Sequence, residues 1–141
     1  ATWPAVAVDF TAKTQCLFMI NKGISKVSEN YRINEYMAEC DRPVPFKHMI
    51  YFGDGETDIP CMKMVKNYGG HSIPVHDKKR HETALKLIRE NRVNFACRAD
   101  FRCGKPVHSV VKRILDKIKA DDEFNRLLQL HKHKADKASQ R

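Results

Sequence analysis

Met49-Ile50-Tyr51-Phe52-Gly53-Asp54-Gly55-Glu56-Thr57-Asp58 is the stretch that decides the fold. Four consecutive apolar residues stopped by Gly-Asp-Gly form the pattern of a parallel strand buried on both faces. A helix should follow: Asp58 can cap its first turn, Pro60 is tolerated there, and Met62, Met64 and Val65 supply apolar contacts before Gly69-Gly70 stops it. A buried parallel strand delivers its carboxyl end to the edge where open α/β sheets bind ligands. Asp54 falls at that edge, and Asp58, at the start of the next helix, can turn back towards it. Two converging carboxylates make a hard, oxygen-rich site for Mg2+. Gly53 and Gly55 are expected to let the chain turn sharply and leave room for a metal and a phosphate.

Working outward, Val6 to Phe10 is a short β-prone run. Residues 14–21 follow with a helical pattern, Cys16, Leu17 and Ile20 forming its apolar face and Gly23 ending it. Ser28 to Cys40 is expected to be a helix, and Asp41 to Pro45 a loop. Downstream, residues 72–76 read as a strand, 81–89 as a helix with Ala84, Leu85 and Ile88 inward, and 93–97 as another strand. Pro106 opens a helix striped by Val107, Val110, Val111, Ile114, Leu115 and Ile118, and a last helix uses Phe124, Leu127 and Leu128. Strands alternating with helices predict an α/β fold with a mostly parallel sheet, a partial Rossmann-like three-layer α/β/α core. One core domain is expected over residues 1–131, with a basic, disordered tail over 132–141.

At 141 residues and 42% hydrophobic, the chain can bury a core of its own. It contains no apolar run long enough for a membrane span and no leading signal-peptide pattern, so a cytoplasmic protein is expected. The cysteines, Cys16, Cys40, Cys61, Cys97 and Cys103, are odd in number and scattered, which favours reduced thiols. Cys16 and Cys61 read as core filler rather than nucleophiles. Histidine and cysteine spacings fit no structural zinc site. The net charge of +9 comes largely from Lys78-Lys79-Arg80, residues 86–92 and His131 to Lys134. Without interleaved aromatics for base stacking, these clusters read as solvated faces, which argues against nucleic acid as a partner.

The string Tyr51-Phe52-Gly53-Asp54-Gly55-Glu56-Thr57-Asp58-Ile59-Pro60-Cys61-Met62 resembles the fourth motif of haloacid-dehalogenase-like (HAD) phosphatases. The resemblance runs from about Trp3 to Lys119 and includes Asn21-Lys22-Gly23 and Gly69-Gly70-x-Ser72-Ile73. It implies a Mg2+-dependent phosphate monoester hydrolase acting through an aspartyl-phosphate. Asp54 and Asp58 would be the metal ligands, a third-motif lysine would neutralise phosphate charge, and Gly55 and Glu56 would face a small phosphorylated substrate. In that family substrate choice depends largely on cap segments, and none is identifiable here.

Lys13 and Lys22 compete for the lysine role. A helix feeding a neighbouring parallel strand runs antiparallel to it, so its N-terminus lies beside Asp54. Lys13 is at that end, whereas Lys22 is about 13 Å further along at roughly 1.5 Å per residue. Lys13 is therefore the expected catalytic residue. The family's Asp-x-Asp nucleophile motif is missing: two residues after Asp9 stands Thr11. Asp9 also lies too close to Asp54 in sequence to leave room for the elements that separate the first motif from the fourth, and it fits the segment before the third motif instead.

The nucleophile is accordingly expected on an upstream segment, leaving this chain inactive alone and paired with that missing half or with a second copy. Two other readings compete. One is a non-catalytic binding domain on an eroded phosphatase scaffold, which a parent gene without Asp-x-Asp would favour. The other is a basic nucleic-acid-binding module, which strongly salt-dependent retention on DNA or RNA would favour.

Overall fold

The computed structural model describes residues 9–140. The described residues fall into two compact units that meet between Asp100 and Phe101.

The first unit is a mixed α/β fold built on a three-stranded, all-parallel sheet. Strands β1 (Ile50–Gly53), β2 (His71–His76) and β3 (Cys97–Arg98) lie in the order β1-β2-β3. Ile50 is in register with His71 and Gly53 with Pro74, while Val75 pairs with Cys97. Because all strands run the same way, Asp54, Asp77 and Ala99 follow their ends along one edge. Helix α2 (Ile59–Asn67) packs on β1 and β2, α1 (Phe10–Lys22) packs on α2, and α3 (His81–Arg89) packs on β2.

Two apolar clusters hold these layers. Leu17, Phe46, Met49, Cys61 and Val65 form the first, with the Phe18, Phe46 and Tyr68 rings in edge and stacked contact beside it. Met62, Leu87 and Val93 form the second. Between them Ser72 is fully buried yet satisfied: its hydroxyl donates to Met62 O and its amide donates to Asn94 Oδ1.

Helix α1 starts earlier than the periodicity indicates. Asp9 accepts from the Ala12 amide at 2.9 Å and caps it. The run from Val6 to Val8 lies outside the described residues, and Asp9 and Phe10 belong to the helix start. The buried stripe is Leu17, Asn21 and Ile24, with Met19 also buried, whereas Cys16 and Ile20 are exposed. Of the apolar face expected at Cys16, Leu17 and Ile20, Leu17 alone is buried; the i, i+4, i+7 stripe escapes the apolar pattern because one of its members is polar. Asn21 is accommodated by donating to Val44 O and accepting from Arg42. Gly23 closes the helix at φ 70°, with its own amide and that of Ile24 returning to Ile20 and Met19 carbonyls. Asp9→Ala is expected to cost about 1 kcal/mol, read as a shifted urea midpoint with an unchanged slope.

Ser28 to Cys40 is not a helix. It is a kinked 3-10 segment, Val27–Asn34, then extended chain and a short turn at Glu39–Asp41. None of these residues is buried, so no apolar stripe pays the cost of an α-helix. The strand expected at 93–97 is found only at Cys97–Arg98; upstream of it Asn94 meets Ser72 twice, its amide donating to the Ser72 carbonyl at 3.4 Å and its side-chain oxygen accepting from the Ser72 amide at 3.1 Å. Among the inward residues expected of α3, Ala84 is buried but Ile88 is exposed, and Leu87 takes its place.

In the second unit, α4 runs unbroken from Pro106 to Ser139, where two helices and a disordered tail from residue 132 were expected. No Gly or Pro follows Pro106, and pairs such as Lys117–Asp121 at 3.0 Å support the helix across the polar middle. No helix among the described residues is long and apolar enough to cross a membrane.

Candidate functional site

The β1–α2 turn is organised around the carboxylate of Asp58. After Gly53 the chain passes through Asp54 and Gly55 into a short 3-10 turn, Glu56–Asp58, that leads directly into α2. The Asp58 side chain makes no capping bond to α2. It turns back instead, so that Oδ2 accepts from the amides of Asp54 (3.2 Å) and Gly55 (3.3 Å). Oδ1 accepts from Lys13 Nζ at 2.8 Å and from the Tyr51 hydroxyl at 2.9 Å. Lys13 Nζ also donates to the Thr57 hydroxyl at 3.1 Å, so α1 is fastened to the loop at two points.

The glycines serve this arrangement in unequal ways. A Cβ on Gly53 would stand 2.6 Å from Asp58 Cβ and 3.0 Å from its Cγ. The missing side chain at Gly53 therefore makes room for Asp58, not for a metal or a phosphate as expected. Gly55 has extended backbone, and a Cβ there would meet nothing closer than Asp58 Oδ2 at 4.0 Å.

Burial raises the Asp58 carboxyl's pKa, but hydrogen bonds from Lys13, Tyr51 and the Gly55 and Asp54 amides outweigh it and hold it below its ordinary 3.8. The hydrogen bond to Asp58 raises Lys13 above its ordinary 10.5. Tyr51 is pushed up by burial and by donating to Asp58, and burial likewise raises the Cys61 thiol beneath it. Tyr51 and Cys61 therefore stay protonated at neutral pH.

A depressed carboxyl contributes stability that is present above its unfolded value and lost as pH falls through its folded value. The destabilisation caused by Asp58→Asn, measured by urea unfolding, is thus expected to be full at neutral pH and to shrink below about pH 3.8. A penalty independent of pH would mean the carboxylate is not ionised in the folded state. The raised Lys13 acts at the other limit: its contribution is complete below 10.5 and fades as pH climbs beyond its folded value.

Asp54 differs from Asp58 in exposure and in hydrogen bonding. It is exposed at the carboxyl end of β1, and its side chain has no hydrogen-bond partner among the described residues. Its carbonyl accepts from Arg80 Nη1 at 2.6 Å, tying the β2–α3 turn to the β1–α2 turn. Arg80 is placed there by Asp77, whose Oδ1 accepts from the Lys79 (2.9 Å) and Arg80 (3.0 Å) amides. The Lys78-Lys79-Arg80 cluster is therefore not purely solvated, since Arg80 makes this tie. The position of Tyr51 in the strand just ahead of the acidic loop is the only signal in the sequence for its role.

The other candidates are dispersed. Lys22 donates to the Ile33 and Glu35 carbonyls, away from Asp54 and Asp58. Asp9 is the α1 cap. Glu56 is exposed and lines, with Asp54 and Gly55, a cleft of about 250 Å³. Among the described residues no three His, Cys, Asp or Glu side chains converge as a ready-made metal cage.

Magnesium commonly takes one or two protein carboxylates and completes its shell with water and substrate phosphate. Asp54 fits such a site. Asp58 does so only by giving up one of four partners, and in this structure it orients Lys13 and the loop amides.

The chain is 32% identical over 105 residues to an uncharacterized protein of Borreliella burgdorferi. The match covers 72% of this chain but 35% of that protein, so the chain spans about a third of the relative's length. No protein-family model and no solved structure matches the chain.

Proposed function

We propose that this chain is part of a HAD-like, Mg2+-dependent phosphate monoester hydrolase, and that it supplies the metal-side half of the active site. The observation that carries the reading is the pairing of Lys13 with Asp58 across 45 residues of sequence, beside an exposed Asp54 at the carboxyl end of a parallel strand. That arrangement presents a cation and a free carboxylate at one sheet edge, as a phosphate-metal pair requires.

In this reading Asp54 holds the ion, with Asp58 as a second ligand or as its outer support. The ion, when bound, offsets charge on the transferring phosphoryl group. Lys13, held by Asp58 and Thr57, supplies a fixed positive charge to a phosphate oxygen. Gly55 and Glu56 face the substrate. The Tyr51 hydroxyl and the Asp54 and Gly55 amides keep the Asp58 carboxylate ionised and aimed, so the lysine does not swing away. The nucleophilic aspartate and its acid/base partner come from a segment outside these residues, since the chain has no Asp-x-Asp and Asp9 is occupied as a helix cap. A cytoplasmic setting suits the free thiols.

Orthophosphate binding by the 141-residue chain tests this directly. Mg2+ is expected to tighten it at least about tenfold, roughly 1.4 kcal/mol, and Asp54→Asn to remove the enhancement while thermal unfolding stays put. Binding indifferent to both Mg2+ and Asp54 would reject the reading. In the same buffer the chain should not hydrolyse an aryl phosphate. Turnover abolished by Asp9→Asn would place the nucleophile within this chain after all.

A further inference from the structure

The cleft beside Asp54 has a character that a bare metal site does not need. Its floor is formed by Ile59 and Met62 of α2 and by Ala84 and Leu87 of α3, and three of these four residues are buried. Its mouth carries Asp54 and Arg80. The guanidinium of Arg80 is anchored through one nitrogen to Asp54 O, which holds its charge at the rim.

We infer that this cleft receives the organic group of the substrate, and that the substrate is the phosphate ester of a small apolar alcohol or phenol no larger than about one ring. The inference rests on the phosphatase reading and specifies its substrate class.

Three observations combine. At about 250 Å³ the cleft is smaller than the roughly 300–1,000 Å³ of sites that enclose drug-sized ligands, so nucleotides and polymers are too large for it. The polar side chains of the lining are Asp54, Glu56, His76, Arg80 and Thr83, while the Ile59, Met62, Ala84 and Leu87 side chains offer no hydrogen-bonding group except the weakly accepting Met62 sulfur. A polyhydroxylated sugar would bury hydroxyls without partners there, whereas an apolar ring would not. The mouth carries Asp54 and Glu56 beside the Arg80 guanidinium, and with a metal ion on Asp54 it suits an ester whose anionic end stays at the mouth.

The test compares phenyl phosphate with methyl phosphate on the 141-residue chain in the presence of Mg2+, followed by NMR. Phenyl phosphate should bind at least about tenfold more tightly, with its largest shifts at the Met62 methyl and the Ala84 and Leu87 amides. Thr83 is exposed on α3 at the cleft, so Thr83→Leu can narrow the cleft without disturbing the core. It should erase the phenyl preference and leave methyl phosphate binding as before. Equal affinities in the unaltered chain would overturn the inference, as would a phenyl preference that survives Thr83→Leu with no response at Met62, Ala84 or Leu87.

Phenol alone separates the two ideas. Shifts at the cleft floor with phenol, together with ester binding indifferent to Mg2+ and Asp54→Asn, would support the cleft and sink the phosphatase reading. Mg2+-dependent binding of both esters with equal affinity would do the reverse.

Discussion

Asp58→Ala is expected to destabilise the α/β unit by about 2–3 kcal/mol, since removing one partner leaves poorly solvated donors without acceptors. The carboxylate receives four hydrogen bonds, two from backbone amides of its own turn and two from Lys13 and Tyr51. Tyr51 has little freedom to find water from its place in the strand, and the Asp54 and Gly55 amides lose the acceptor that sets the loop's shape. Lys13 can swing into solvent, so its share of the loss is small. Chemical denaturation would show the effect as a lower midpoint. NMR would show it as altered amide shifts from Gly53 to Thr57, with α4 unmoved. A loss below about 0.5 kcal/mol, the scale of an ordinary surface change, would mean that Asp58 is not the organising group of the turn.

Gly53→Ala should cost about as much, roughly 1–3 kcal/mol, through overpacking rather than through a lost bond. The added methyl would lie 2.6 Å from Asp58 Cβ and 3.0 Å from Cγ, and neither atom is the loose end of a flexible chain. Either the strand or the aspartate must shift, and a shift of Asp58 releases Lys13. The two substitutions therefore share one mechanism and should not add. The double variant Gly53→Ala, Asp58→Ala is expected to be more stable than the sum of the single losses predicts, by at least about 0.5 kcal/mol, as contacting residues typically show. Strict additivity would separate the glycine from the aspartate and remove this account of why position 53 lacks a side chain.

The parts of the fold most legible in the sequence were those whose pattern and packing agree. Met49 to Phe52 reads as a strand because nothing polar interrupts it, and β1 occupies Ile50–Gly53, but the burial expected on both faces is not found: Ile50 and Tyr51 are half-buried and Phe52 is exposed. Helix α3 was placed at residues 81–89 and spans His81–Arg89. Where polar side chains do structural work, periodicity misleads. Asn21 belongs to the buried stripe of α1, and Asn94 holds Ser72 where a longer strand was expected. Glycine patterns were ambiguous in the same way: Gly53 reads as a turn residue, but its reason is the close approach of Asp58.

At the site, the sequence located the acidic loop and favoured Lys13 over Lys22 from helix direction alone. The structure places Lys13 Nζ on Asp58 and sends Lys22 to backbone carbonyls elsewhere. Sequence spacing gave Asp54 and Asp58 the same role, yet one is exposed, its side chain without a hydrogen bond among the described residues, while the other is enclosed by four donors. No count of residues between them carries that distinction, because it depends on Tyr51 pointing towards the loop from one side and α1 arriving from the other. The tie from Arg80 to the Asp54 carbonyl was equally hidden, since it joins two turns 26 residues apart.

The central claim is that Asp54 is the residue that meets the metal while Asp58 holds the loop and the lysine. Mn2+ in place of Mg2+ makes this visible, because a bound paramagnetic ion broadens the NMR signals of its neighbours. Titration of the isotopically labelled 141-residue chain is expected to broaden the amides of residues 53–56 first, and Asp54→Asn to abolish that broadening with the rest of the spectrum unchanged. Broadening that persists in Asp54→Asn, or that centres on the histidines of α4 instead of the β1–α2 turn, would contradict the account.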